Sequence, residues 1–237
     1  MNIINLGNRI TNSYLLKLSK GYLLIDTGYF EHFYGFLKRL EKHGIGIKEI
    51  QYILLTHAHD DHAGFLDELL NRTEAKVILH KDAVYRLSRG VNSFYGGSSG
   101  KLSLVACKFM EVMGKGKHEF PPVDCKERYI LADEESLDLE GILGGKIIFL
   151  PGHTSDSIGL MLENGTLFCG DAAMNGIPSV SRITIWIESV EEYIKSWGKM
   201  IALKPITIYP GHGKPFPVVD LKKNLNNVSK VRIRWHK

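Results

Sequence analysis

Apolar residues along the 237-residue chain fall into short runs, and the period of those runs changes from one part of the chain to the next. The runs from Ser13 to Leu18 and from Tyr22 to Ile25 have strand length. Ser19, Lys20 and Gly21 divide them, a spacing that predicts a β-hairpin. Phe33, Phe36, Leu37 and Leu40 then repeat at helical spacing, which predicts an amphipathic helix over residues 31–43 ended by Gly44 and Gly46. Tyr52 to Leu55 is a buried strand. Residues 61–70 read as a helix with Phe65, Leu66, Leu69 and Leu70 on its inner face, Lys76 to His80 as a strand, and residues 81–88 as a short helix. Further on, Arg128 to Leu131 and Ser136 to Leu139 read as short strands. Val190, Ile194, Trp197 and Ile201 mark a helix of about three to four turns, and residues 218–228 a last one. The order strand, strand, helix, strand, helix occurs in the first half and again in the second, without literal repetition. Mixed sheets with helices outside them predict an α/β (α+β) chain, taken as one domain over residues 1–237.

Residues 89–125 break this grammar. Gly96, Gly97 and Gly100 loosen one end, Gly114 and Gly116 the middle, and Pro121 with Pro122 the other end. Between them residues 102–105 and 108–112 have helical character. The segment is expected to be an insertion or lid over an active-site edge, because loops on a rigid scaffold usually carry specificity.

Four of the apolar runs end in side chains of one chemical kind. Tyr52 to Leu55 is followed by Thr56-His57-Ala58-His59-Asp60-Asp61-His62, the pattern H-x-H-x-D-H. The run at 147–152 leads to His153, that at 166–170 to Asp171, and that at 206–211 to His212. Each is a short strand, a glycine that allows a tight turn, and then an imidazole or carboxylate. Those donors suit zinc and other first-row metals. On extended chain His57 and His59 point the same way, and Asp61 and His62 follow as the chain turns, so a second metal can sit close by. The remaining histidines, His32, His43, His80, His118 and His236, show no such placement.

The succession H-x-H-x-D-H, G-H, G-D, G-H-G resembles the metallo-β-lactamase fold superfamily, over about residues 24–215. The resemblance implies a four-layer αββα sandwich with ligands from both halves meeting along one edge of two sheets. It implies that His57, His59 and His153 hold one metal, that Asp61, His62 and His212 hold a second, and that Asp171 bridges them. Asp26, at the end of the second hairpin strand, would brace the metal loop from behind rather than bind metal. The cofactor implied is a pair of divalent ions, Zn2+ first, though the same ligands accept Mn2+ or Fe. A hydroxide held by both ions would be the nucleophile, with Asp61 orienting it. The expected activity is hydrolysis of a small ester, thioester, lactone or amide, on the glyoxalase-II-like or lactonase-like branch. Two alternatives stay open: a metal-dependent phosphodiesterase acting on nucleic acid, and a mononuclear iron persulfide dioxygenase. Tyr29, Tyr95 and Lys214 are conceivable substrate contacts, each equally well a surface or packing residue.

Composition narrows the partners. Hydrophobic content of 44% and charged content of 24% are ordinary for a globular protein. The net charge of +4 resides in the tail: from residue 222 onward there are six Lys and Arg and no Asp or Glu, leaving 24 basic against 26 acidic residues elsewhere. The alternation of apolar and basic residues over 230–235 reads as a terminal edge strand or a solvated end. A small-molecule substrate is therefore expected, with no nucleic-acid partner and no membrane. No run of eighteen apolar residues is present, and the first residues lack the basic and apolar segments of an export signal, so a cytoplasmic location is expected. Cys107, Cys125 and Cys169 lack C-x-x-C spacing and are expected to be reduced thiols, Cys169 a small buried residue. G-x-S-x-G is matched only by Gly96-Gly97-Ser98-Ser99-Gly100 in the loose glycine-rich segment, and the histidines are better explained as metal ligands, which sets aside serine-triad hydrolysis; no G-x-G-x-x-G or P-loop segment occurs, so nucleotide-cofactor binding is not suggested. Oligomeric state is unreadable from the sequence.

Overall fold

The computed structural model describes residues 2–93, 95–112, 118–132 and 140–234. The hairpin forms as expected, as β2 (Tyr14–Lys17) and β3 (Tyr22–Ile25), with β1 (Ile3–Asn5) added antiparallel on the outer side of β2. Helix α1 (Phe33–Lys42) then carries the chain to β4 (Ile50–Leu54), which pairs parallel to β3. After α2 (Asp60–Ala63) and α3 (Leu66–Leu70), strand β5 (Lys76–His80) lies parallel to β4. Helix α4 (Ala83–Arg89), the two-residue strand β6 (Gly97–Ser98) and α5 (Lys101–Val112) precede β7 (Tyr129–Ala132), which closes the first sheet beside β5. That sheet has the order β1-β2-β3-β4-β5-β7.

The second half supplies α6 (Glu140–Leu143), β8 (Gly145–Phe149), β9 (Ile158–Leu162), β10 (Thr166–Gly170), β11 (Trp186–Ile187), α7 (Val190–Ala202), β12 (Thr207–Pro210), β13 (Phe216–Pro217) and α8 (Val219–Val228). Its sheet runs β13-β12-β10-β9-β8, and β11 pairs with β6 as a separate ribbon.

Alternation along the strands sets the layering. Leu15, Leu24, Ile53, Val77 and Leu79 pack outward on Phe33, Phe36 and Leu40 of α1 and on Leu66, Leu69 and Leu87. Their neighbours Leu16, Leu23, Ile25, Leu54 and Ile78 turn inward to meet Ile147, Ile158, Leu160 and Phe168 of the second sheet. On that sheet's far face Ile148, Leu167, Cys169 and Ile208 pack on Tyr193, Trp197 and Met200 of α7 and on Leu221 of α8. Side chains in a strand alternate faces, so each strand serves two interfaces. Three apolar clusters thus fill the three seams of a helix–sheet–sheet–helix sandwich, the four-layer αββα arrangement.

Several elements depart from the sequence expectation. The helix expected over 61–70 is two pieces, because the backbone around Gly28 crosses at Gly64: a Cβ there would stand 2.4 Å from the Gly28 carbonyl oxygen and 2.6 Å from the Phe30 nitrogen. The two helical stretches of the 89–125 segment are one helix, α5. The segment's ends are pinned together by a Val91–Glu119 bridge and by the Phe120 amide donating to the Gly90 carbonyl. Strand β9 was not anticipated; its neighbours on both sides bury it so thoroughly that no polar alternation survives. In the tail, Arg234 exchanges both backbone hydrogen bonds with Ser98, an edge bridge rather than a free end. The strand expected at 136–139 and His236 lie outside the described residues. No helix among the described residues is long and apolar enough to cross a membrane.

Candidate metal centre

Loops leaving the ends of β4, β8, β10 and β12 bring seven side chains together. Three groups of donor atoms fall within 4.8 Å of one another: His57, His59 and His153; His57, His62 and Asp171; and Asp61, His62 and His212. His153 Nε2 stands 3.1 Å from both His57 Nε2 and His59 Nδ1. His62 Nε2 stands 3.4 Å from His212 Nε2. Asp171 lies between the groups, its Oδ2 3.3 Å from His212 Nε2 and 3.9 Å from His153 Nε2, and its Oδ1 3.6 Å from His62 Nε2. Asp61 Oδ2 is 3.1 Å from His212 Nε2.

The far nitrogens show what these rings present to one another. His62 Nδ1 faces Asp26 Oδ2 at 2.8 Å, His153 Nδ1 the Trp186 carbonyl at 2.8 Å, and His212 Nδ1 the Ile10 carbonyl at 2.8 Å. Those oxygens only accept, so each Nδ1 must donate. The Thr56 hydroxyl gives its one proton to Asp26 Oδ2 at 2.7 Å, so toward His57 Nδ1 at 3.1 Å it can only accept. Four imidazoles therefore turn Nε2 toward a common space, each able to offer its lone pair to a cation once any proton there is released. His59 Nε2 and Asp171 Oδ1 are buried with no hydrogen-bond partner. Donor type, orientation and these orphaned atoms all fit divalent metal ions.

The charges point the same way. Burial, then the neighbouring imidazoles, hold His57 and His59 well below the usual histidine range. At His62 burial opposes charge, but Asp61, Asp26 and Asp171 outweigh it and raise the ring to about 9. His212 is likewise raised, by Asp171 and Asp61 against burial. Burial also works against ionised Asp171, yet His212 and His62 keep it down at about 2. The His62 side of the cluster thus takes up protons where a metal ion would otherwise balance its carboxylates.

Asp26 stands where the sequence expected a brace. It adopts φ 57°, and its carboxylate accepts from the Thr56 amide and hydroxyl, both at 2.7 Å, and from His62. A second brace escaped sequence reasoning. Asp156, fully buried, accepts the Ala58 amide at 2.8 Å and the Arg86 Nη1 proton at 2.7 Å. Arg86 Nη2 clamps both oxygens of Glu188 at 3.0 and 3.1 Å, and Glu188 accepts the Ser155 amide at 2.7 Å. This network ties the loop of His57 and His59 to the loop of His153. Its only sequence signal was the polar run Thr154 to Ser157 directly after a ligand-type histidine.

Two other outcomes concern the rim. His118, read as ordinary, sits with Nδ1 3.6 Å from Asp60 Oδ2 in the H-x-H-x-D-H loop, and the Asp60 carboxylate raises its pKa. Asn92 holds Asp60 through two hydrogen bonds of 2.7 Å, so both ends of the 89–125 segment touch the loop. Of the conceivable substrate contacts, Tyr29 is half-buried and its phenol is held up first by the Asp61 charge, then by burial. Tyr95 is 81% exposed and Lys214 is exposed; both engage the site's surroundings through backbone carbonyls. Cys169 is buried on the α7 side of its strand, and burial pushes its thiol up.

The metallo-β-lactamase superfamily model matches residues 6–212. The chain belongs to that superfamily. Among curated relatives, a β-lactamase-like protein 2 homolog from Drosophila melanogaster is 31% identical over 215 residues, covering 86% of this chain and 58% of that protein. An atrochrysone carboxyl ACP thioesterase from Aspergillus fumigatus is 26% identical over 208 residues, 86% of this chain and 50% of that protein. The chain thus spans little more than half the length of such relatives. Among solved structures, the archaeal superfamily protein ST1585 from Sulfolobus tokodaii superposes with a TM-score of 0.66 at 23% identity, covering 100% of this chain and 89% of that one. The metallo-β-lactamase GOB-18 from Elizabethkingia meningoseptica gives 0.65 at 24% identity, covering 97% and 87%. These two likenesses speak for the fold.

Proposed function

We propose that this superfamily member is a hydrolase of small esters or thioesters that works with two divalent cations, zinc in the first instance. The carrying observation is the convergence of four Nε2 atoms on one space spanned by Asp171. His57, His59 and His153 would hold one ion, Asp61, His62 and His212 the other, and Asp171 both. Bound there, two such ions supply a nucleophile from water at neutral pH and polarise the substrate's carbonyl oxygen. The protein's own contribution is orientation. The Asp26 and Asp156 braces fix the ring planes, and Asp61, partly open to solvent, directs the attacking water. Tyr29, facing Asp61, lies where it can meet the substrate beside it. The products are a carboxylate and the freed alcohol or thiol, with one proton released per turnover.

The resemblance to relatives named as a thioesterase and as a probable metallo-hydrolase supports this class. Against the mononuclear alternative stands the completeness of the second group, which a three-histidine iron site would not need. The test is elemental analysis of anaerobically purified protein, joined to a screen of thioesters, lactones, a β-lactam and a bis-aryl phosphodiester. Two zinc or manganese ions per chain with ester or thioester turnover is the expected result. One iron per chain with oxygen consumed on a persulfide would overturn the reading.

A further inference from the structure

A cavity of about 370 Å³ lies apart from the metal cluster; none of the seven donor side chains lines it. Lys101 from the start of α5 and Lys230, Arg232 and Arg234 from the tail line it, together with Ser99, Ser103, Ser181 and Asn227. No carboxylate lines it, and none of the four cations pairs with one among the described residues; the nearby Asp220 is taken by Arg182 at 2.7 Å. Four positive charges around one concavity, with no carboxylate partner among the described residues, make a field that selects anions. Hydroxyls and the Asn227 amide add hydrogen-bond capacity of the kind that phosphate oxygens use. Aliphatic side chains complete the wall: Leu102 and Val180 are 55% and 60% exposed, beside buried Val231. No aromatic ring among the described residues lines it.

The cavity wall is wired to the metal site. Ser99 Oγ donates to the Thr184 carbonyl at 2.5 Å, and the Ser99 amide donates to Ile185 at 3.0 Å. Thr184 Oγ1 lies 3.4 Å from His153 Nδ1, whose main acceptor is Trp186 in the same stretch. The stretch Thr184 to Trp186 thus has the cavity wall on one side and a ligand-type histidine on the other.

We propose that this cavity binds a phosphate group carried on an aliphatic arm, and that it anchors the non-reacting end of the substrate. Resting on the hydrolase reading above, this narrows the substrate to a thioester or ester whose leaving part is phosphorylated. Phosphopantetheine, with a phosphate next to a branched aliphatic segment and a thiol at the far end, has the required chemistry. Pantetheine is the same molecule without the phosphate, so comparing the two isolates the anion.

The test uses the metal-loaded protein and calorimetric titration with each compound, then KM for their S-butyryl thioesters. The wild-type protein is expected to bind phosphopantetheine at least about tenfold more tightly than pantetheine. In the double variant Lys101→Gln/Arg234→Gln the preference is expected to fall below about twofold, with KM for the phosphorylated thioester raised about tenfold. The control Lys222→Gln/Lys223→Gln removes the same charge from α8 outside the cavity and should leave both values unchanged. Equal binding of the two compounds by the wild-type protein would overturn the anion site. So would a preference that survives the cavity variant and vanishes in Asp171→Ala, which would place the phosphate on the metal ions. A twelve-nucleotide RNA bound more tightly than phosphopantetheine, and weakened equally by both charge variants, would mean a diffuse nucleic-acid surface instead. Phosphate-dependent binding without thioester turnover would leave the anion site standing and remove its role as a substrate anchor.

Discussion

Replacing Asp156 with alanine tests whether the metal loop is held by the network behind it. The carboxylate is fully buried and bonds the Ala58 amide and Arg86. Breaking a buried ion pair costs about 3–5 kcal/mol when the remaining charge is stranded. Arg86 would keep its two bonds to Glu188, which puts that cost at the low end, about 3 kcal/mol. The orphaned Ala58 amide adds about 1 kcal/mol or more. A loss of about 4 kcal/mol in a chain of this size lowers Tm by about 8–16 °C. The functional effect should be local: Ala58 lies between His57 and His59, and Ser155 next but one to His153, so the three-histidine group loses its fixed spacing. Metal affinity there is expected to fall about 10–100-fold, the cost usual for losing an outer partner of a metal ligand. Competitive titration against a chromophoric chelator, with differential scanning calorimetry, measures both. Asp156→Asn, which can still accept the Ala58 amide but turns its NH2 toward Arg86, should fall between. An alanine variant with Tm within about 2 °C of wild type and both metal affinities within about threefold would refute the reasoning.

Asp171→Ala should abolish turnover and lower metal content towards one ion or none, as read by elemental analysis. Gly211→Ala should do nearly the same without touching a ligand, because its Cβ would stand 2.4 Å from Asp171 Oδ1 and 2.6 Å from His62 Cε1. Metal binding should release protons, seen in titrations run in buffers of different ionisation enthalpy, since His62 and His212 are proton-laden without metal. In chelator-treated protein His62 is raised from 6.5 to about 9, so its stabilising contribution is complete below 6.5 and fades as pH climbs through about 9; Tm should decline across that window. Excising residues 101–117 while keeping β6 should alter substrate preference and leave metal stoichiometry unchanged.

The parts of the site that could be read from the sequence are those carried by contiguous residues. H-x-H-x-D-H and the three glycine-preceded donor residues, which the fold brings together, announce themselves because imidazole and carboxylate side chains and strand ends coincide in the chain. Asp156 and Arg86 could not be read, because Asp156 holds the backbone amide of Ala58, which any residue would offer, and Arg86 meets Asp156 and Glu188 from 70 and 102 positions away. The 61–70 helix was misjudged for a related reason. Apolar periodicity continues across Gly64, and only the tertiary crossing at Gly28 stops the helix there. Strand β9 is hidden by being buried on both faces, where alternation carries no information. His118 reaches Asp60 only because residues 91 and 119 are paired, a contact no local pattern encodes.

The last histidine of the cluster depends on the first residues of the chain. Ile10 accepts from His212 Nδ1, the Asn12 amide donates to Gly211, the Asn12 side chain donates to Pro210 and Gly213, and the Tyr14 hydroxyl also donates to Pro210. The side-chain network through Asp156 and Arg86 that braces the His57, His59 and His153 group reaches no further along the chain than Glu188. On a ribosome, therefore, the two halves of the centre become available at different moments. The residues of the three-histidine group and of this network have all been added by position 188, before position 212 is, and the Asp61, His62 and His212 half closes only when His212 meets the amino-terminal segment. The two donor groups are thus completed one after the other, with the carboxylate of Asp171 made before either is closed.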